Sequence, residues 1–152
     1  MEGLGKATMD WITGPMKQFI DQNYRTLPDR ENTLIAGSSM GGLMSLYAIT
    51  AYNDIFSRAA ALSPSLWAGD THLYDLISGS SFCPPTRIYL DLGTEEEDSF
   101  NDRDALAGIF KVSEALTYSG ADVAARVVPG ADHSEAAWEK RIPVFMDYLL
   151  GE

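Results

Sequence analysis

Ser39 stands in Gly37-Ser38-Ser39-Met40-Gly41-Gly42, directly after the apolar run Thr33-Leu34-Ile35-Ala36 and directly before the helix-like Leu43-Met44-Ser45-Leu46-Tyr47-Ala48-Ile49. Gly-x-Ser-x-Gly between a strand and a helix makes a tight turn. Such a turn strains the serine backbone, lifts its hydroxyl clear of the sheet and crowds the positions two before and two after it. Glycine fits those flanks, and Gly37 and Gly41 occupy them. The following helix aims free amides at the hydroxyl, so an oxyanion forming there would meet the Met40 N–H and the positive end of a helix dipole. That is a setting for acyl transfer. The bare pattern arises by chance in about one chain in ten of this composition, so its strand-before, helix-after context carries the weight.

A serine nucleophile needs a base, and the base needs an acid. His133 lies in Pro129-Gly130-Ala131-Asp132-His133-Ser134, between an expected strand and an expected helix, where a fixed loop would present its imidazole to Ser39. There it would draw the proton from Ser39 on attack and return it to the leaving group. His72, after Gly69-Asp70-Thr71, reads as a solvated or capping loop residue. The run Glu95-Glu96-Glu97-Asp98 is by default a solvated acidic loop or a weak site for a hard cation such as calcium. One carboxylate from it is nonetheless required to hold the imidazole in one tautomer and stabilise its cation. The chain order is Ser, acid, His, which is the order of α/β-hydrolases and not that of chymotrypsin-like or subtilisin-like proteases. Trp67 and Trp138 are candidates for lining an acyl or aromatic pocket, with a place in the core as the alternative.

The elements that must position these groups alternate along the chain. Residues 10–24 carry apolar side chains at helical spacing, with Gly14-Pro15 kinking or restarting the helix. Residues 33–38 predict a strand and 41–52 a helix. Residues 58–63 read as a short buried strand ending at Pro64. The clearest strand is 86–92, opened by Pro84-Pro85 and closed by Gly93. Residues 104–119 predict a helix stopped by Gly120, and 122–128 a strand closed by Pro129-Gly130. Residues 135–150 are helical, with Pro143 in the first turn of a second segment. Strand and helix in alternation imply a parallel sheet with helices on both faces, and function at the carboxyl ends of its strands.

Composition narrows the partners. With 152 residues, 45% of them hydrophobic, the chain suits one domain with a substantial core. A formal charge of -11 argues against nucleic acid and anionic membrane surfaces. No apolar stretch has the length of a membrane span, and the lone Cys83 forms neither an internal disulfide nor a cysteine metal cluster; beside Pro84 and Pro85 it is expected to be buried or half-buried. Met1-Glu2-Gly3-Leu4-Gly5-Lys6 lacks the apolar core of a signal peptide, so the compartment stays open with the cytoplasm favoured. No nucleotide loop or metal-ligand spacing is evident.

Tyr24-Arg25-Thr26, Asp29-Arg30, Ala36-Gly37-Ser38-Ser39-Met40-Gly41-Gly42, Ala61-Leu62-Ser63-Pro64, Leu92-Gly93-Thr94 and residues 130–138 form a series of landmarks in one order. In these the chain resembles the putative esterase family of α/β-hydrolases, which includes esterase D, feruloyl and acetyl xylan esterases, and siderophore esterases. The resemblance implies a three-layer α/β/α domain over residues 1–152 with a mostly parallel sheet. It also implies that the chain corresponds to the family's carboxyl-terminal half, truncated of the strands that come before. In relatives the acid tends to lie two residues past a Gly-Thr, which selects Glu96 and leaves Glu95, Glu97 and Asp98 as alternatives. The activity implied is hydrolysis of a small-molecule carboxylic ester through an acyl-enzyme on Ser39, with His133 as general base and no cofactor; the residues themselves add Met40 N–H as the oxyanion donor and Trp67 as the candidate substrate contact. The alternatives are a truncated domain of weak or no activity, and an acyltransferase using the same triad. The absent strands would supply a second oxyanion N–H, and losing one such donor costs on the order of 100- to 1000-fold in rate. They would also leave the 33–38 strand at an open apolar edge, so a homo-oligomer covering that edge, or a longer natural chain, is expected.

Overall fold

The computed structural model describes residues 4–96 and 102–151. Strands β1 (Leu34–Ser38), β2 (Arg58–Leu62), β3 (Arg87–Glu95) and β4 (Asp122–Asp132) lie side by side in chain order, every neighbouring pair parallel. β2 and most of β3 are buried along their length, as befits strands with helices over both faces. The period of two divides their side chains. Ala59, Ala61, Ile88, Leu90 and Leu92 join one core with Leu46 and Ile49 of α3 (Met40–Ala51), Leu73 and Ile77 of α4 (Leu66–Ser78), and Ile109 and Leu116 of α5 (Asp102–Tyr118). Ala60, Leu62 and Tyr89 face the other way, against Phe145 and Leu149 of α7 (Ile142–Leu150). A slip of one residue would exchange the two sets, which is why the register is firmly set.

Several elements differ from the sequence expectation for identifiable reasons. The first helix begins earlier and runs through Pro15: α1 (Gly5–Trp11) passes into a π turn (Ile12–Met16) and then α2 (Lys17–Asn23). Within it the Lys17 N–H reaches back to the Ile12 carbonyl, and this wider turn accommodates the proline that an α-helical turn would not. α4 was not expected at all, because Gly69 and Gly79 interrupt its pattern. Gly69 has a packing reason: a Cβ there would come within 2.6 Å of Leu43 Cδ1, so its absence lets α3 and α4 approach. His72 is therefore an exposed residue on a helix and not part of a loop. β4 continues through Pro129 and Gly130, where turn chemistry predicted a stop. Pairing of Gly93 with Val128 and of Glu95 with Asp132 leaves a bulge that takes up Pro129 and Gly130. β4 is the outermost strand, so a missing N–H there is tolerated, and Gly130, at φ 69°, donates its N–H to Thr94 Oγ1 at 2.8 Å. The last helical stretch divides as expected into α6 (Glu135–Glu139) and α7, with Pro143 in the first turn of α7.

Cys83 is exposed, contrary to expectation. Its backbone does the structural work, because its carbonyl accepts from Arg30 Nη2 at 2.6 Å and its N–H donates to Asn53 Oδ1 at 2.8 Å. Arg30 also donates to the Asn53 carbonyl at 2.5 Å, the Pro85 carbonyl at 3.1 Å and Thr86 Oγ1 at 2.8 Å. One guanidinium thus ties together the chain entering β1, β2 and β3. Arg30→Ala leaves several of these acceptors without a donor, and a loss of about 3 kcal/mol in unfolding free energy is expected, read as a lower urea midpoint at unchanged slope.

β1 pairs on one side only among the described residues, and it offers Leu34, Ile35 and Ala36 without a charged residue. β4, at the other edge, carries Asp122, Arg126 and Pro129, which discourage pairing. Among the described residues no helix is long and apolar enough to cross a membrane.

Candidate active site

The carboxyl ends of the four parallel strands each deliver one polar side chain to the same place: Ser39 after β1, Ser63 after β2, Glu96 after β3 and His133 after β4. Ser39 adopts φ 54° and ψ -121°, a conformation that costs a residue with a Cβ about 1–3 kcal/mol. The surroundings enforce it. Its N–H donates to the Leu62 carbonyl at 2.9 Å, and its own carbonyl accepts from Leu43 N at 3.1 Å and Ser65 N at 3.0 Å. Gly37 is required for the turn to close, since a Cβ there would lie 2.5 Å from the Gly41 backbone. The second expected constraint falls elsewhere: a Cβ on Gly41 meets open space, whereas one on Gly42 would press on Pro64 and the Leu62 carbonyl at 3.0–3.1 Å.

Ser39 Oγ lies 3.0 Å from His133 Nε2, and His133 Nδ1 lies 2.5 Å from Glu96 Oε2. A carboxylate only accepts, so Nδ1 carries the proton and donates to Glu96. Nε2 is then the free lone pair, and the Ser39 hydroxyl donates to it. The His133 ring is steadied by Trp138, whose ring meets it edge-on with centroids 4.8 Å apart at 85°. Ser134 caps α6, accepting from Ala137 N at 3.3 Å and donating to Asp132 Oδ1 at 2.5 Å, which fixes the chain on the far side of His133. Glu96 is fixed through its other oxygen, Oε1, by the Gly93 N–H at 2.7 Å and the Ser63 hydroxyl at 2.5 Å.

Beneath Glu96 lies a buried polar layer. Arg141 Nη1 donates to Asp91 Oδ1 at 2.7 Å and to Ser63 Oγ at 3.1 Å, and Tyr89 OH donates to Asp91 Oδ2 at 2.9 Å. The Arg141 and Asp91 side chains are 4% and 0% exposed, so this ion pair lies out of reach of solvent screening. Burial pushes the Asp91 carboxyl above its ordinary value, against the pull of Arg141, Tyr89 and the Ser63 N–H. Burial, and then the charge of Asp91, pushes the Tyr89 phenol up, which keeps it protonated and donating.

Of the residues expected from sequence, the fold brings Ser39, Glu96 and His133 into one hydrogen-bonded chain. Glu95 is the exposed last residue of β3, and Glu97 and Asp98 lie outside the described residues. Met40 opens α3, so its N–H lacks an acceptor within the helix. Trp67, in the first turn of α4, is 61% exposed, and Trp138 serves as a strut against His133. Sequence reasoning missed Ser63, Ser65 and Arg141. Ser65 Oγ lies 3.2 Å from Ser39 Oγ. With the Ser39 proton committed to His133, Ser65 is the donor of that pair. The Ser63-Pro64-Ser65 doublet at a strand end was the available signal for two of the three; nothing local marked Arg141.

A protein-family model described as "Putative esterase" matches residues 2–148. Among curated proteins, the uncharacterized protein YbbA of Bacillus subtilis is 25% identical over 159 residues, a match that covers 99% of this chain and 62% of that relative. The chain thus spans less than two thirds of the relative's length. Among solved structures, the enterobactin esterase FES of Shigella flexneri superposes with a TM-score of 0.73 at 20% identity, over 91% of this chain and 36% of that one. The feruloyl esterase module of Clostridium thermocellum does so with a TM-score of 0.73 at 19% identity, over 97% of this chain and 59% of that one. At such identities the likeness to the solved structures is one of fold.

Proposed function

The chain belongs to this esterase family, and from that premise we propose that it hydrolyses small carboxylic esters through an acyl-enzyme on Ser39. The observation that carries the reading is the single chain of hydrogen bonds from Ser39 Oγ through His133 to Glu96 at the carboxyl ends of adjacent parallel strands. As Ser39 Oγ attacks the ester carbonyl carbon, His133 Nε2 takes its proton, and Glu96 pairs with the imidazolium. The carbonyl oxygen, now an anion, receives the Met40 N–H at the amino end of α3. Collapse breaks the bond to the alcohol, which leaves with the proton from His133. Water, activated by the same imidazole, then releases the acid and restores Ser39.

Trp67, largely exposed in the first turn of α4 and two residues after Ser65, is the substrate contact in this reading. A net charge of -11 speeds the departure of an acid product and disfavours anionic esters, as steering and not as recognition. In this reading the edge of β1, which pairs on one side only among the described residues, is where a second copy of the chain would dock. With p-nitrophenyl acetate, the native protein is expected to release p-nitrophenol catalytically and Ser39→Ala to release none above background. Equal release by both would sink the proposal.

A further inference from the structure

We propose that Ser63 is the positioning residue that orients Glu96, acting as a one-way hydrogen-bond junction between the buried Arg141–Asp91 layer and the acid. The inference rests on the reading of Ser39, His133 and Glu96 given above and adds a residue to it.

The argument is one of donors and acceptors. A serine hydroxyl has one proton and two lone pairs. Ser63 Oγ has three partners: Trp138 Nε1 at 3.1 Å, Arg141 Nη1 at 3.1 Å and Glu96 Oε1 at 2.5 Å. An indole N–H and a guanidinium only donate, so they take both lone pairs. The hydroxyl proton then has one destination, Glu96 Oε1. No rotation of the hydroxyl satisfies the set in any other way. Ser63 is therefore a fixed donor, and Glu96 is held with Oε1 toward Ser63 and Gly93 and Oε2 toward His133.

The backbone supports the same conclusion. Ser63 is the second residue among those described, apart from glycines, with positive φ, at 43°, and it is 1% exposed. Its N–H is anchored to the Asp91 carbonyl at 3.0 Å and to Asp91 Oδ1 at 3.2 Å. Asp91 in turn holds Arg141. A serine in left-handed backbone at the end of a buried strand carries strain that glycine would relieve, so the side chain has a use that repays it. The geometry identifies that use as polarised donation to the acid, with the Arg141 charge drawing electron density from the Ser63 oxygen and strengthening its bond to Glu96.

The full chain provides the test. The rate of Ser39 labelling by a fluorophosphonate probe is measured for the native protein, Ser63→Gly, Ser63→Ala, Glu96→Ala and the Ser63→Gly/Glu96→Ala double variant. The downfield proton resonance of His133 Nδ1–H is followed in parallel. Ser63→Gly suits the positive φ, so it removes the hydroxyl without adding strain even if Ser63→Ala folds poorly. Ser63→Gly is expected to slow labelling about 10- to 100-fold and to move the Nδ1–H resonance upfield, the effect of losing a charge-assisted hydrogen bond to the acid. The double variant is expected to label no more slowly than Glu96→Ala alone, since the hydroxyl works only through Glu96. Native-like labelling and an unmoved resonance in folded Ser63→Gly would overturn the inference, as would losses that multiply in the double variant. A native protein that resists the probe would instead overturn the proposed function, and the resonance would still decide whether Ser63 orients the acid.

Discussion

Replacing His133 by alanine is expected to lower ester turnover by about a million-fold, to the residue of catalysis left by binding and the oxyanion amide. The size follows from the geometry. In the proposed mechanism His133 Nε2, 3.0 Å from Ser39 Oγ, takes the proton as the serine attacks. Ser65 Oγ, 3.2 Å from the same oxygen, is no substitute because a hydroxyl does not accept that proton near neutral pH. Stability should change little, since the imidazole is about a third exposed and its loop stays tied by Ser134 and by Arg141 Nη2 on the Asp132 carbonyl. Free imidazole added at high concentration is expected to restore part of the lost rate by entering the space beside Trp138. The comparison of kcat for the native and variant proteins, with and without imidazole, measures both effects.

Glu96→Gln is expected to cost about ten-thousand-fold in kcat with KM nearly unchanged, although the two side chains have almost the same shape. The Gly93 N–H and the Ser63 hydroxyl both donate to Oε1, so the amide of a glutamine must turn its oxygen toward them. Its NH2 then faces His133 Nδ1, which has to accept. The imidazole proton moves to Nε2 and points at Ser39, leaving no lone pair for the serine proton. Steady-state kinetics checks the loss. Nitrogen chemical shifts of labelled His133 report the tautomer directly, with Nδ1 protonated in the native protein and Nε2 protonated in the variant.

The serine elbow was legible in the sequence because its constraints are local. A strand, a five-residue Gly-x-Ser-x-Gly turn and a helix are contiguous, and the sterics that demand glycine at position 37 act within that turn. The order of Glu96 and His133 followed because parallel strands with helical crossovers bring successive carboxyl ends to one side of the sheet. Ser63, Trp138 and Arg141 were not legible as partners. They converge from the end of β2, from α6 and from the turn before α7, and no spacing in the chain announces that meeting. α4 was missed because Gly69, read as a breaker, answers instead to the packing of Leu43. β4 was read too short for a related reason. Pro129 and Gly130 stop a strand only where the ladder needs their hydrogen bonds, and a bulge on the outermost strand does not. Local sterics made the Ser39 turn legible, while the support behind Glu96 depends on tertiary contacts.

The central claim is that Ser39 is an activated nucleophile, and covalent labelling tests it most directly. Folded native protein treated with a fluorophosphonate is expected to gain one phosphonyl group, mapped by peptide mass spectrometry to Ser39, with none on Ser39→Ala and little on His133→Ala. Folded native protein that remains unmodified, or that carries the adduct on neighbouring Ser65 instead, would contradict it.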